Sequence, residues 1–236
     1  MKTGPNCGRI RVIMIEAFIF DLDGLLADTE HLHCRAYQQA LLEHGAALDE
    51  TDYCEHWVRS GKGIVEWIAA RKLDLDPHAL RLRKSEHYLD LLLSSLQPMD
   101  GALELLERLH RKTKIALASS SYRDAIDGVL AGLRIAGFFD VIVSGLDVAQ
   151  VKPAPDIFFK AASDLGVAPA GCLVFEDAEK GVIAAHRAGM RCIAIPNDYT
   201  RHHDFSKATR ICTSLREITP EFLKTLEPPR TVEAAS

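Results

Sequence analysis

Apolar residues in this chain gather into short unbroken runs. The first clear run is Ala17-Phe18-Ile19-Phe20. Four more follow: Ile115-Ala116-Leu117-Ala118, Val141-Ile142-Val143, Leu173-Val174-Phe175 and Cys192-Ile193-Ala194-Ile195. A β-prone run without alternation suits a strand buried on both faces, as in a parallel sheet. Between the runs, apolar residues recur at helical spacing over 102–110, 125–133, 157–165 and 181–188. Strands alternating with helices predict an α/β fold, a Rossmann-like doubly wound parallel sheet.

Residues 30–96 break that alternation. They show helical periodicity and no convincing strand. Ala36, Ala40 and Leu41 form one predicted apolar face, and Val65, Ile68 and Ala69 another. A long helix is expected over 79–96, ending before Pro98. An all-helical block after the first strand of an α/β sheet reads as an inserted cap. The expected domains are an α/β core of residues 1–29 and 97–236 and a helical cap domain of residues 30–96. The stretch up to about Gly8 and the tail from Glu227 onward read as irregular, and Met14 as an alternative start.

Composition narrows the function. The 236 residues carry 28 Lys and Arg against 33 Asp and Glu, a net charge of −5. With no basic stripe, nucleic acid is not an expected partner. No run approaches the roughly 20 apolar residues of a membrane helix, and no signal peptide is visible. The six cysteines, Cys7, Cys34, Cys54, Cys172, Cys192 and Cys212, are scattered without metal-ligand spacing. They read as reduced thiols and point to a cytoplasmic protein. No heptad or long apolar edge points to a second copy, so a monomer is expected.

The candidate chemistry lies in the turns after the strands, where open α/β sheets bind ligands. Phe20-Asp21-Leu22-Asp23-Gly24 follows the first run, with Asp28-Thr29 close behind. Two residues apart in extended chain, Asp21 and Asp23 point to the same side, and Gly24 permits a sharp turn. Carboxylates this close repel unless a cation or a shared proton intervenes, and oxygen ligands suit Mg²⁺. Ser119 ends the second run, Lys152 stands in Val151-Lys152-Pro153, and Glu176-Asp177 follows Phe175. Acid pair, hydroxyl, cation and second acid pair at four strand ends form a set suited to phosphoryl transfer. Taken singly, each has a plainer role: a solvated acidic loop, a helix cap, a surface lysine, acids at a helix start.

In this order, the set resembles the haloacid-dehalogenase-like superfamily of hydrolases from Phe18 to about Asn197. It is most similar to the β-phosphoglucomutase-like and sugar-phosphate phosphatase branch. The resemblance implies that Asp21 is the nucleophile and forms an aspartyl-phosphate. Asp23 would protonate the leaving alcohol and then deprotonate water. Asp21, the main-chain carbonyl of Asp23 and Asp177 would hold Mg²⁺, with Glu176 as a further or water-bridged ligand. Lys152 would offset charge, Ser119 and the amide of Ser120 would bind phosphate oxygens, and Thr29 of the matched motif would contact the substrate.

The same resemblance leaves hydrolase and mutase open. His33 stands where mutase members carry a histidine, although some sugar phosphatases share it. The mutase cap motif Gly-x-Ser-Arg is replaced by Arg59-Ser60-Gly61-Lys62-Gly63, where Lys62 or Arg59 could face the site. The mutase Ser-Ala-Ser-Lys-Asn becomes Ser119-Ser120-Ser121-Tyr122-Arg123. These departures favour an Mg²⁺-dependent phosphomonoesterase for a small, sugar-like phosphorylated metabolite, with β-phosphoglucomutase as the alternative. A phospho-accepting signalling module is a more remote alternative. Such modules have no inserted cap and keep their acid pair and acceptor on separate strands.

Overall fold

Ala17–Phe20 forms β1, the buried strand around which the sheet is built. The computed structural model describes residues 14–226. Cys7 and the expectations for the opening stretch and the tail lie outside that range. In chain order, β2 is Lys114–Ala118, β3 Val141–Val143, β4 Cys172–Glu176, β5 Arg191–Ala194 and β6 Arg210–Ile211. All pairings are parallel, in the order β3-β2-β1-β4-β5-β6. The five expected strands are present. The sixth, of two exposed residues, carries too little apolar pattern to be seen in the sequence.

Residues alternate between the two faces of the sheet. Phe18, Phe20, Leu117 and Phe175 pack on one side under Leu105 and Leu106 of α5 (Ala102–Leu109) and Ile126 of α6 (Arg123–Leu133). Ile19, Ala116 and Val174 pack on the other against Phe158 of α7 (Asp156–Leu165) and Val182 of α8 (Glu179–Arg187). Both faces are covered, which explains the unbroken apolar runs. The register sets Phe20 beside Leu117 and Phe175. The residues that follow these three strands therefore emerge side by side.

Between β1 and α5 the described chain contains helices only. They are α1 (Glu30–Leu42), α2 (Glu50–Tyr53), a π-helix over Cys54–Arg59, α3 (Ile64–Arg71) and α4 (Pro77–Ser95). Pro77 opens α4, and the Asp76 carboxylate accepts the His78 N–H at 2.9 Å. A separate apolar cluster holds Leu41, Tyr53, Trp67, Ile68 and Leu80 together. Leu32 and Ala36 of α1 and Tyr88, Leu91 and Leu92 of α4 instead join the core beneath the sheet. The expected face of α3 is corrected: Ile64, Trp67 and Ile68 are buried, whereas Val65 and Ala69 are exposed. The inward face is turned because Trp67 packs against Trp57.

Candidate active site

The turn after β1 is tight. The N–H groups of Leu26 and Ala27 both donate to the Leu22 carbonyl, and Gly24 N–H donates to that of Ala27. Gly24 has φ +79°, and a Cβ there would lie 2.6 Å from Asp177 Oδ2. Glycine thus supplies the conformation and lets the turn lie flush against Asp177. Gly181 has a comparable role on α8: a Cβ there would collide with the Glu176 carboxylate.

Asp21, Glu176 and Asp177 converge, each with a carboxylate oxygen within 4.8 Å of the others. All three are buried. Lys152, 3% exposed, sits among them. Its Nζ donates to Asp21 Oδ1 at 2.5 Å, Glu176 Oε1 at 2.6 Å and the Ala118 carbonyl at 2.7 Å. Those three contacts use all the protons of an ammonium. Burial, only partly offset by Lys152 and reinforced by Glu176 and Asp23, pushes the Asp21 carboxyl up to about 7. Burial and the charges of Glu176 and Asp21 drive Asp177 well above the usual carboxylate range. One lysine does not neutralise three buried carboxylates, and the donors are all oxygen. This set fits a small hard cation such as Mg²⁺. Glu176 Oε2 also accepts the N–H groups of Asp177 and Ala178. Both of its oxygens are therefore engaged, which suits it to the outer, bridged position.

Asp23 is placed differently. Its side chain lies outside the convergent group and accepts four hydrogen bonds. Thr29 Oγ1 (2.7 Å) and His33 Nε2 (3.1 Å) meet Oδ1; Ser119 Oγ (3.2 Å) and Ser121 Oγ (2.6 Å) meet Oδ2. Burial alone would raise its pKa, but His33 and the hydroxyl donors outweigh it and hold the carboxyl well below its ordinary value. Thr29 is fully buried, so its hydroxyl serves Asp23. Ser120 Oγ is buried without a hydrogen-bond partner among the described residues. An orphaned hydroxyl between two engaged serines is the donor a phosphate oxygen would satisfy.

The structure brings together Asp21, Asp23, Thr29, His33, Ser119, Ser120, Lys152, Glu176 and Asp177. Lys62 is exposed, on the loop after the π-helix, where a Cβ on the neighbouring Gly61 would lie 3.9 Å from the Lys152 carbonyl oxygen; its side chain forms no ion pair among the described residues. Arg59 pairs with Glu55 at 3.2 Å.

Sequence reasoning missed four contributors: Ser121, Asn197, Lys84 and Tyr88. Asn197 Nδ2 donates to Asp177 Oδ2 at 2.8 Å and to the Gly24 carbonyl at 3.0 Å. Lys84 Nζ lies 2.7 Å from His33 Nδ1, and Tyr88 stacks on the His33 ring at 4.1 Å between centroids. A Lys84–His33 bond needs a lone pair on one partner, so the two do not both carry full charge. Lys84 had a legible signal: it shares the buried face of α4 with Leu80, Tyr88 and Leu91. An inward lysine among apolar residues at helical spacing is unusual.

Comparisons with known proteins accord with this geometry. The sequence pattern of haloacid dehalogenase-like hydrolases matches residues 18–195. Fructose-1-phosphate phosphatase YqaB of Escherichia coli (strain K12) is 35% identical over 182 residues, covering 75% of this chain and 94% of its own. A variant of CbbY from Rhodobacter sphaeroides, in complex with xylulose-(1,5)bisphosphate, superposes with TM-score 0.81 at 30% identity, covering 86% of this chain and 96% of its own. A β-phosphoglucomutase from Clostridium difficile superposes with TM-score 0.76 at 28% identity, covering 90% of this chain and 96% of its own.

Proposed function

The chain belongs to the haloacid dehalogenase-like hydrolases, and from that premise we propose that it is an Mg²⁺-dependent phosphomonoesterase for a small, sugar-like phosphorylated metabolite. The observation that carries this reading is the contrast between Asp21 and Asp23. They stand two residues apart, yet one faces Lys152 among acids and the other sits in a cage of hydrogen-bond donors. Carboxyls whose environments push their pKa values apart suit separate roles.

In the proposed reaction an Asp21 oxygen attacks phosphorus. A phosphorus–oxygen bond forms to Asp21 and the bond to the leaving alcohol breaks. Asp23 gives that alcohol its proton, then takes one from the water that attacks the aspartyl-phosphate. Phosphate leaves and Asp21 is restored. Lys152 holds Asp21 in place and offsets charge; Ser119 and Ser120 steady phosphate oxygens. Mg²⁺ held by Asp21, Asp177 and the Asp23 carbonyl, with Glu176 bridged, would neutralise charge on the phosphoryl group. Asp23 is held ionised here, so it must take up a proton before donating one. His33 rides on α1, so movement of that helix changes its hold on Asp23.

We assign residues 30–96 as the cap and residues 1–29 and 97–236 as the core, with the cap setting specificity and closing over the substrate. Among the described residues no helix is long and apolar enough to cross a membrane. A cytoplasmic monomer is our reading for the whole protein. Mutase activity is the second reading, favoured by His33 on Asp23 and by the β-phosphoglucomutase likeness. The test is phosphate release from a panel of phosphorylated sugars, with and without Mg²⁺, for wild type and Asp21→Asn. Release that needs Mg²⁺ and Asp21 supports the phosphatase. Faster conversion of β-glucose 1-phosphate to glucose 6-phosphate than release of phosphate would select the mutase.

A further inference from the structure

Two side chains outside the proposed chemistry reach from the core to one stretch of the cap. After β5 the chain turns on Asn197, whose Oδ1 accepts the N–H groups of Tyr199 (2.8 Å) and Thr200 (3.2 Å). Asn197 N–H donates to Thr200 Oγ1 at 3.0 Å, and Thr200 is fully buried. The turn is thus closed on itself from both ends. One end touches the acidic cluster, since Asn197 Nδ2 donates to Asp177 Oδ2 and to the Gly24 carbonyl. The other end holds the cap: Tyr199 OH donates to Glu50 Oε1 at 2.7 Å, and Glu50 opens α2. Lys180, three residues after Asp177, donates from Nζ to the Trp57 carbonyl at 3.4 Å in the π-helix. A cleft of about 440 Å³ lies along this seam, lined by residues that include Glu50, Arg59, Tyr199 and His203.

We propose that Asn197 is a positioning residue that ties the acidic cluster to the cap through the Asn197–Tyr199 turn. Neither end of so short and internally bonded a turn shifts without the other. Fixing Asp177 therefore favours the Tyr199–Glu50 contact, and holding Glu50 favours the placement of Asp177. Such coupling is reciprocal. The inference rests on the reading of Asp177 as a cation ligand.

The test uses the full chain with Mg²⁺ alone. Amide hydrogen exchange is followed over residues 50–59, and Mg²⁺ affinity is measured by calorimetry. In the wild type, saturating Mg²⁺ should slow exchange in this stretch at least about fivefold, the lower end of ordinary coupling. Tyr199→Phe keeps the ring and does not touch Asp177. It should nevertheless abolish the Mg²⁺ effect on exchange and weaken Mg²⁺ binding by a matching factor. Glu50→Gln, which keeps the side-chain shape, should act in the same direction. A purely structural role for Tyr199 would leave Mg²⁺ affinity unchanged, and that result overturns the proposal. Mg²⁺ that binds the wild type without slowing exchange sinks the coupling alone. Mg²⁺ that does not bind sinks the coupling and the reading of the cluster together.

Discussion

Lys152, after β3, and Lys84, on α4, are both buried lysines, 3% and 9% exposed, the first bonded to Asp21 and the second to His33, which meets Asp23. Burial disfavours the charge of each. For Lys152 that penalty is outweighed by Asp21 and Glu176, and its pKa rises above the ordinary lysine value. For Lys84 burial prevails over the more distant charges of Asp23 and Asp124, and the pKa falls to about 8. Its close partners are the His33 ring nitrogen and the faces of Tyr88 at 4.4 Å and Tyr37 at 5.2 Å. Aromatic faces attract a cation but do not replace a carboxylate. Two lysines of similar burial thus differ in kind: one is a fixed charge among acids, the other a titratable group linked through His33 to Asp23.

Removing the fixed charge should give the largest effect. Lys152→Met leaves Asp21 and Glu176 buried without their common partner. Breaking such a buried pair costs about 3–5 kcal/mol, read as a lower midpoint in chemical denaturation. Turnover should fall by about 10³-fold or more. Adding Glu176→Gln to Lys152→Met should recover part of the stability and none of the turnover. If Lys152→Met is as stable as wild type, Lys152 does not hold the acids as described.

Asp23→Asn, at the carboxylate that His33 joins to Lys84, comes next. Loss of a general acid and base should lower kcat by about 10²–10⁴-fold. The loss should shrink for an aryl phosphate, whose leaving group needs little protonation. An equal loss on both substrates would count against proton transfer at this position.

Lys84→Met should be the mildest, lowering kcat by about tenfold through the altered His33–Asp23 contact. Its distinctive sign lies in pH. The folded-state pKa of Lys84 lies below the unfolded value, so the unfolded chain binds more protons between about 8 and 10.5. Wild-type stability should therefore rise relative to Lys84→Met as pH increases through that window, as denaturation at stepped pH would show. A flat difference would mean that Lys84 is not titrated by burial.

The same contrast explains what the sequence disclosed. The core site was legible because its groups follow buried apolar strands: Asp21 after Phe20, Ser119 after Ala118, Asp177 one residue past β4. Parallel register alone brings those ends together. The contacts around Asp23 and Asp177 were less legible because they join distant positions. Lys84 meets a histidine 51 residues away, and Asn197 reaches Gly24 across 173 residues. In sequence Ser121 is one member of a serine run, and only the fold brings its hydroxyl to Asp23. The inward face of α3 differs from the expected one because periodicity counts Val65 and Ala69 as apolar but does not weigh the bulk of Trp67.

The most direct measurement is identification of the phosphorylated side chain during turnover. Enzyme quenched in acid while turning over a sugar phosphate with Mg²⁺ is reduced with borohydride, which converts an acyl phosphate to an alcohol, and the peptides are weighed. The account predicts homoserine at position 21 in the wild type, and neither that product nor phosphate release in Asp21→Asn. Reduction at another carboxylate, or full phosphate release by Asp21→Asn, would contradict it.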